Sequence, residues 1–229
     1  MSYTLAWLLG HGVAGCIRGG AGITVSTMFR FTLADTRELR VLEESDVHEL
    51  HGLIEANRSY LARWLPWAPA QSLDGTRAFI MHTRKQLSGN DGFQCAILDA
   101  DRMIGVAGFH RVDWANRGTS IGYWLAESEQ GRGTMTLAVR ALIDWAFDGW
   151  ALNRVEIRAA TGNEPSRAVL RRLGMREEGV LRAVERIGGR YLDHVVYAVL
   201  ASEWGMMTAV PSNAPERRSA SASSARSSG

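Results

Sequence analysis

The 229-residue chain is nearly half hydrophobic and carries eight tryptophans at a net charge of only +2, so a packed domain is expected rather than a disordered one. Of that charge the two ends hold +3 (Arg18; then Arg217, Arg218 and Arg226 against Glu216), which leaves −1 on residues 29–204 and no electrostatic footprint for a nucleic acid. Two cysteines, Cys16 and Cys95, exclude a disulfide framework and a cysteine-built zinc site, and suit a reducing cytoplasm.

Residues 1–28 read as a flexible extension, with Met28 opening the folded part. Their apolar stretch YTLAWLL is short and has no basic start, so it does not make an export signal. No run in the chain approaches the roughly 20 apolar residues a membrane span needs. Strand and helix patterns then alternate across 29–204. ELRVL (38–42) alternates as a strand. ESDVHELHGLIEANRSYL follows as a helix, with Ser45 or Asp46 as its cap and Val47, Leu50, Leu53 and Ile54 on one face. A second helix covers about 74–87 and stops at the turn SGNDG. FQCAIL and MIGVAGFHRV are strands joined by the hairpin turn DADR, and SIGYWLA (120–126) is the next strand.

From Thr134 to Trp150 a long helix shows one narrow polar stripe, Arg140, Asp144 and Asp148, so most of its circumference should be buried. RVEIRAAT (154–161) is a strand, PSRAVLRRLG a short helix stopped by Gly174, and a hairpin pair ends in HVVYAVLA. Residues 205–229 are rich in Ser, Ala and Arg without apolar periodicity, and should be a disordered tail. The order gives a mixed α/β domain whose sheet has antiparallel and parallel neighbours.

Two glycines flanking an arginine in EQGRGTMT (129–136), where the long helix begins, mark an anion site: glycines let the backbone approach a phosphate, and helix-start N–H groups receive it. A Walker A loop is excluded because no lysine follows Gly133. A dinucleotide fingerprint is excluded because Thr136 stands where its third glycine would fall. Gln-x-x-Gly-x-Gly/Ala, a pyrophosphate loop for coenzyme A, is met at Gln130 and Gly133, with Met135 in the last slot. Downstream, TGNEPSRAVLRRLGM (161–175) adds Asn163, Ser166 and a Leu-Gly-Met end at the matching distance. With WLPW at 64–67, these segments resemble the GNAT acetyltransferases, in particular the RimJ/RimL type that acetylates ribosomal-protein N-termini; the likeness runs from about Glu38 to Trp204.

The resemblance implies a GNAT fold: a mixed, mostly antiparallel twisted sheet of six to seven strands, splayed in a V between 120–126 and 154–161 and flanked by four helices. It implies acetyl-CoA as co-substrate and no metal. The pantetheine arm would pair with main chain near Trp124 and Leu125, and Asn163 would hydrogen-bond it. The diphosphate would lie over Gly131, Arg132, Gly133, Thr134, Met135 and Thr136, behind Gln130; Arg132 either adds a charge contact or is a solvated loop arginine. Many relatives place a Glu before the IGYW pattern, where this chain has Ser120, and a Tyr in the helix after Asn-x-x-Ser, where it has Leu170. The RimL-type pattern offers Glu185 as base, or else a surface Glu paired with Arg182 or Arg186. It offers Ser166 as acid, or else a helix-start cap. Asp193 is a reserve base or an ammonium ligand, while Trp64, Trp67 and Tyr123 either line an acceptor pocket or belong to the core. The histidines read as helix-face or loop residues. The acceptor is then a protein N-terminus or a small amine such as a polyamine, amino sugar or amino acid. A non-catalytic acyl-CoA-binding module is the rival from another class. No nucleic acid or membrane partner is expected, and the chain should be a monomer or homodimer.

Overall fold

The computed structural model describes residues 30–208; the extension expected at 1–28, and residues 209–229 of the expected tail, lie outside the described residues. Eight strands form a single sheet: β1 (Arg30–Ala34), β2 (Arg37–Val41), β3 (Gln94–Asp99), β4 (Arg102–Asp113), β5 (Gly118–Leu125), β6 (Arg154–Ala160), β7 (Arg176–Ile187) and β8 (Arg190–Leu200). Their spatial order is β1-β2-β3-β4-β5-β6-β8-β7, and every neighbouring pair is antiparallel except β5 with β6. Five helices accompany them: α1 (Val47–Leu61), α2 (Leu73–Ser88), α3 (Thr134–Asp144), α4 (Glu164–Arg172) and α5 (Ala201–Thr208).

The sheet has one strand more than the sequence reading allowed, and there is one more helix. The extra strand is β1, an edge strand whose residues are exposed or only half-buried, so it has no strong alternation to announce it. The extra helix is α5, which carries the chain four residues past the expected boundary at Trp204. Trp204 is the anchor. It is only 5% exposed, its Nε1–H donates to Asp144 Oδ1 (2.6 Å), and Arg140 lies 5.2 Å over its ring. The polar stripe of the long helix is therefore the seat of α5.

Period-two alternation sends one set of side chains to each face of the sheet. Leu39, Ile97, Phe109, Ile121, Val155 and Tyr197 pack against Ala138, Val139 and Leu142 of α3 and Leu170 of α4. On the other face Ala96, Leu98 and Val106 pack against Leu50 and Ile54 of α1 and Ile80 of α2. Local caps fix where the helices start. Asp46 Oδ2 accepts the Glu43 N–H (2.8 Å) and both its oxygens bind Arg40 (2.7 Å each), so Asp46 rather than Ser45 organises the start of α1. Ser72 Oγ accepts the Gly75 N–H (3.0 Å) at the head of α2. The long helix loses its regular winding after Asp144. Residues Trp145–Gly149 form one wider π turn, which sets Trp145 against Phe31 (5.8 Å) and Trp150 against Phe109 (4.8 Å).

Candidate active site

The only parallel pair in the sheet makes the opening. β5 and β6 pair at Gly118 with Arg154, Thr119 with Val155 and Ser120 with Glu156, and at no residue beyond. β6 is held on its other edge by β8 along its whole length, from Arg154 with Leu200 to Ala160 with His194. The far end of β5, residues 121–125, therefore parts from its neighbour. A cleft of about 1210 Å³ opens there, walled by the strands, the start of α3, the start of α4, and the end of α1 with the WLPW segment. This is the V-shaped splay anticipated from the sequence.

The glycine loop lies at one end of the cleft. Gly131 and Gly133 both adopt left-handed φ (+76° and +77°), and Gly133 is the residue that caps α3. The first N–H groups of α3 have no intrahelical partner. Behind the loop stands Glu129, only 5% exposed, which takes Arg102 at 2.8 Å and Arg132 at 2.9 Å. Arg37 donates to the Arg132 carbonyl (3.2 Å), and Gln130 donates to the Tyr60 hydroxyl. Loop and strand-side cations are thus tied together around one buried carboxylate. Arg132 is engaged as a brace of the loop, an outcome between the two readings of it as a charge contact or a solvated side chain. Thr134 and Met135 are buried and seat the helix start, while Thr136 Oγ1 accepts from Arg172 of α4 (3.2 Å).

Further along the cleft, β5 and α4 bring a serine and a phenol together. Ser166 Oγ and Tyr123 Oη are 2.9 Å apart. Burial pushes the Tyr123 phenol up to about 12, with the Ser166 contact pulling the other way, so the phenol keeps its proton at neutral pH. Tyr123 is therefore the partner of Ser166 rather than a plain aromatic wall. Asn163 caps α4 by accepting the Ser166 N–H at Oδ1 (3.3 Å), and its side chain also borders the cleft. Leu170, at the usual tyrosine position, is fully buried core. The phenol beside Ser166 comes from β5.

Also in the lining of the cleft, Glu185 Oε2 stands 3.1 Å from Nε2 of His194. Both are half-buried and both line the cleft, so Glu185 is neither free on the surface nor paired with Arg182 or Arg186. Asp193 is placed differently from either role read for it. Its carboxylate accepts the Ala183 N–H (2.7 Å) inside a β7–β8 register shift, with Ala183 at φ +50°, and it is not among the residues that line the cleft. It shapes the bulge just before Glu185 and leaves the cleft to its neighbours. Trp64 and Trp67 do line the cleft. Trp67 is 38% exposed and lies 6.4 Å from Trp124, whose strand, with Leu125, forms the inner edge of the opening. Trp64 rests against Gly162 in the turn before α4.

Two histidines that the sequence reading assigned to helix faces or loops sit instead on strands facing the cleft, His110 on β4 and His194 on β8. Their alternation was the available signal: each lies one residue from a buried strand position, Phe109 and Val195. Arg158 and Arg172 also border the cleft and were not singled out. Among the described residues no group of three His, Cys, Asp or Glu is placed to hold a metal ion. No helix among them is long and apolar enough to cross a membrane.

Residues 37–176 match the model of the acetyltransferase (GNAT) domain. The chain belongs to the GNAT acetyltransferases. The family member described here is 37% identical over 179 residues to the putative ribosomal N-acetyltransferase YdaF of Bacillus subtilis (strain 168), covering 77% of this chain and 98% of the relative. It is 32% identical over 167 residues to the ribosomal-protein-serine acetyltransferase of Escherichia coli (strain K12), covering 72% of this chain and 93% of that one. Among solved structures it resembles a probable acetyltransferase (TM-score 0.74, 38% identity, 77% and 99% of the two chains). It also resembles RimL, the ribosomal L7/L12 alpha-N-protein acetyltransferase, in complex with coenzyme A (TM-score 0.72, 30% identity, 75% and 97%).

The GNAT enzyme is thus an N-acetyltransferase whose co-substrate is acetyl-CoA, and its own residues fit that molecule. A β-carbon built at Gly131 or Gly133 meets nothing within 4 Å, so the loop presents bare, open main chain beside the cleft. The helix dipole and the free N–H groups of such a start favour a diphosphate. The half-buried Ser166–Tyr123 pair faces the same space.

Proposed function

We propose that this acetyltransferase modifies the N-terminal amine of a protein, with ribosomal proteins the first candidates, in the cytoplasm and by direct attack in a ternary complex. The observation that carries the reading is that one cleft is lined both by the Glu185–His194 contact of 3.1 Å and by the Ser166–Tyr123 contact of 2.9 Å. One pair offers a proton acceptor and the other a proton donor, as amine acylation requires. Acetyl-CoA supplies the activated acetyl group. Main chain at Gly131, Arg132, Gly133, Thr134, Met135 and Thr136 binds its diphosphate, with Gln130 fixing the loop; the edges at Trp124 and Leu125, and Asn163, orient the pantetheine arm. Glu185 draws the proton from the acceptor ammonium, through a water, with His194 Nε2 standing 3.1 Å from its carboxylate. A strand N–H near Leu125 stabilises charge on the carbonyl oxygen. Ser166, backed by Tyr123, returns a proton to the departing sulfur.

The choice of acceptor rests on the open, aromatic mouth. Trp64, Trp67 and Trp124 offer flat faces along which a peptide main chain can lie. The likeness to relatives named for ribosomal-protein acetylation supports the same class. A small-amine acceptor is the second reading, favoured by the likeness to the microcin C7 self-immunity acetyltransferase MccE bound to acetyl-CoA and AMP (TM-score 0.70, 27% identity). Thiol release from acetyl-CoA, measured across Ser- and Ala-starting peptides, spermidine, amino sugars and free amino acids, decides between them. The account expects the peptides to give the highest kcat/KM. Faster turnover on a small amine than on every peptide would overturn it.

A further inference from the structure

The proton bookkeeping of the reaction calls for more than one acceptor. An ammonium carries three N–H protons and the amide product one, so two protons leave the nitrogen; one finishes on the released thiol and the other reaches solvent. A carboxylate holds only one of them at a time, and a second group beside the nitrogen lets both depart without waiting on the sulfur. Resting on the acetyl-transfer reading above, we propose that His110, held by Ser120, is a second catalytic base, which takes an acceptor-nitrogen proton at Nε2 from the β4 side of the cleft.

Four observations place it there. The ladder between β4 and β5 shifts register between Phe109 and Val112, and His110 lies in that irregularity, a device that re-aims a side chain. Its Nδ1 is 3.1 Å from Ser120 Oγ, at the position where many relatives carry a glutamate. The tautomer that donates Nδ1–H to Ser120 leaves the Nε2 lone pair free. Finally, the ring extends over Gly122, where a β-carbon would stand only 2.4 Å from Nε2. Glycine at 122 makes the space this imidazole occupies. Ser120, Gly122 and His110 thus form one fitted unit, and all three line the cleft together with Glu185.

The surroundings suit a base that is neutral at physiological pH. Although one face of the ring is open to the cleft, protein atoms crowd it, and this desolvation holds its pKa below the ordinary histidine value; Arg158 acts in the same direction. Arg158, on β6, is the charged group facing it, and is itself paired with Glu156 (2.7 Å). β5 contributes the neutral Ser120, and from α2 the neutral Gln86 donates to the His110 carbonyl.

The test is the pH dependence of kcat on the best acceptor found for the wild type. The wild type should lose rate as pH falls through a value below about 6.5, the unperturbed histidine pKa. His110→Gln, which keeps a hydrogen bond to Ser120 and cannot take the proton, should lower kcat by roughly 10²-fold and abolish that limb. Added imidazole should restore part of the rate of His110→Ala, and Glu185→Gln should leave the histidine limb in place. An unchanged kcat in His110→Gln, or a lower kcat with the same limb, overturns the proposal. If that variant does not fold, Ser120→Ala carries the test: release of Nδ1 must move the limb, and an unmoved limb overturns it. A wild type that releases no thiol with any acceptor sinks the acetyl-transfer reading itself, and this proposal with it.

Discussion

At the residue scale, the two pairs proposed to move protons each make a prediction. Glu185→Gln removes the carboxylate but keeps the volume and polar contact to His194. It should lower kcat by roughly 10²-fold and leave CoA affinity nearly intact in calorimetry. An undiminished kcat in Glu185→Gln would remove Glu185 from the base's role. In the second pair, Tyr123→Phe deletes a phenol that is protonated at neutral pH and lies 2.9 Å from Ser166. Pre-steady-state thiol release should slow in Tyr123→Phe and more so in Ser166→Ala, while binding of CoA changes little. The sequence named Glu185 and Ser166 because a motif carries them. It could not name their partners, His194 and Tyr123, because those contacts join strands or helices 9 and 43 positions apart, and no local spacing records them. Asp193 shows the converse: a carboxylate next to the right strand is captured by a backbone N–H at a bulge that alternation alone does not reveal.

At the scale of elements, the backbone of the glycine loop was legible because its requirement is local. A left-handed residue must cap α3, and Gly133 at φ +77° supplies it. Gly133→Val meets no neighbour sterically, since nothing lies within 4 Å of the new β-carbon, yet a β-branched residue resists that φ and its methyls would stand where the diphosphate is proposed to lie. CoA affinity should fall below detection by calorimetry while the variant remains folded by circular dichroism; undiminished affinity would contradict the placement of the loop. The strands were equally plain wherever one face is core, as in β3 to β6. β1 escaped notice because an edge strand with no fully buried residue has little pattern to show. The parting of β5 from β6 came from family likeness, not from alternation, since pairing register is a property of two strands together.

At the scale of the molecule, two helical layers hold a sheet that is deliberately incomplete at its centre, and the described chain is closed by α5. Trp204 locks that helix through Asp144, Arg140 and Phe147 (ring centroids 6.4 Å apart). Trp204→Ala should cost about 3–5 kcal/mol, seen as a lower denaturation midpoint with an unchanged denaturant slope. A loss under about 1 kcal/mol would mean that α5 contributes little to the fold. Desolvation raises the Asp144 carboxyl pKa. A raised acid pKa stabilises the protein at pH values below the unfolded carboxyl range and the contribution is lost as pH rises through the folded value, so Asp144→Asn should flatten part of the stability curve over that interval.

The central claim is positional: the bare main chain ahead of α3 grips the diphosphate of coenzyme A and aims its sulfur into the gap between β5 and β6. A crystal structure of the full chain grown with CoA reads this out directly. The account predicts the diphosphate over residues 131–136 and the sulfur between the parted strands, within reach of Ser166. Coenzyme A bound anywhere else, with that helix start empty, would contradict it.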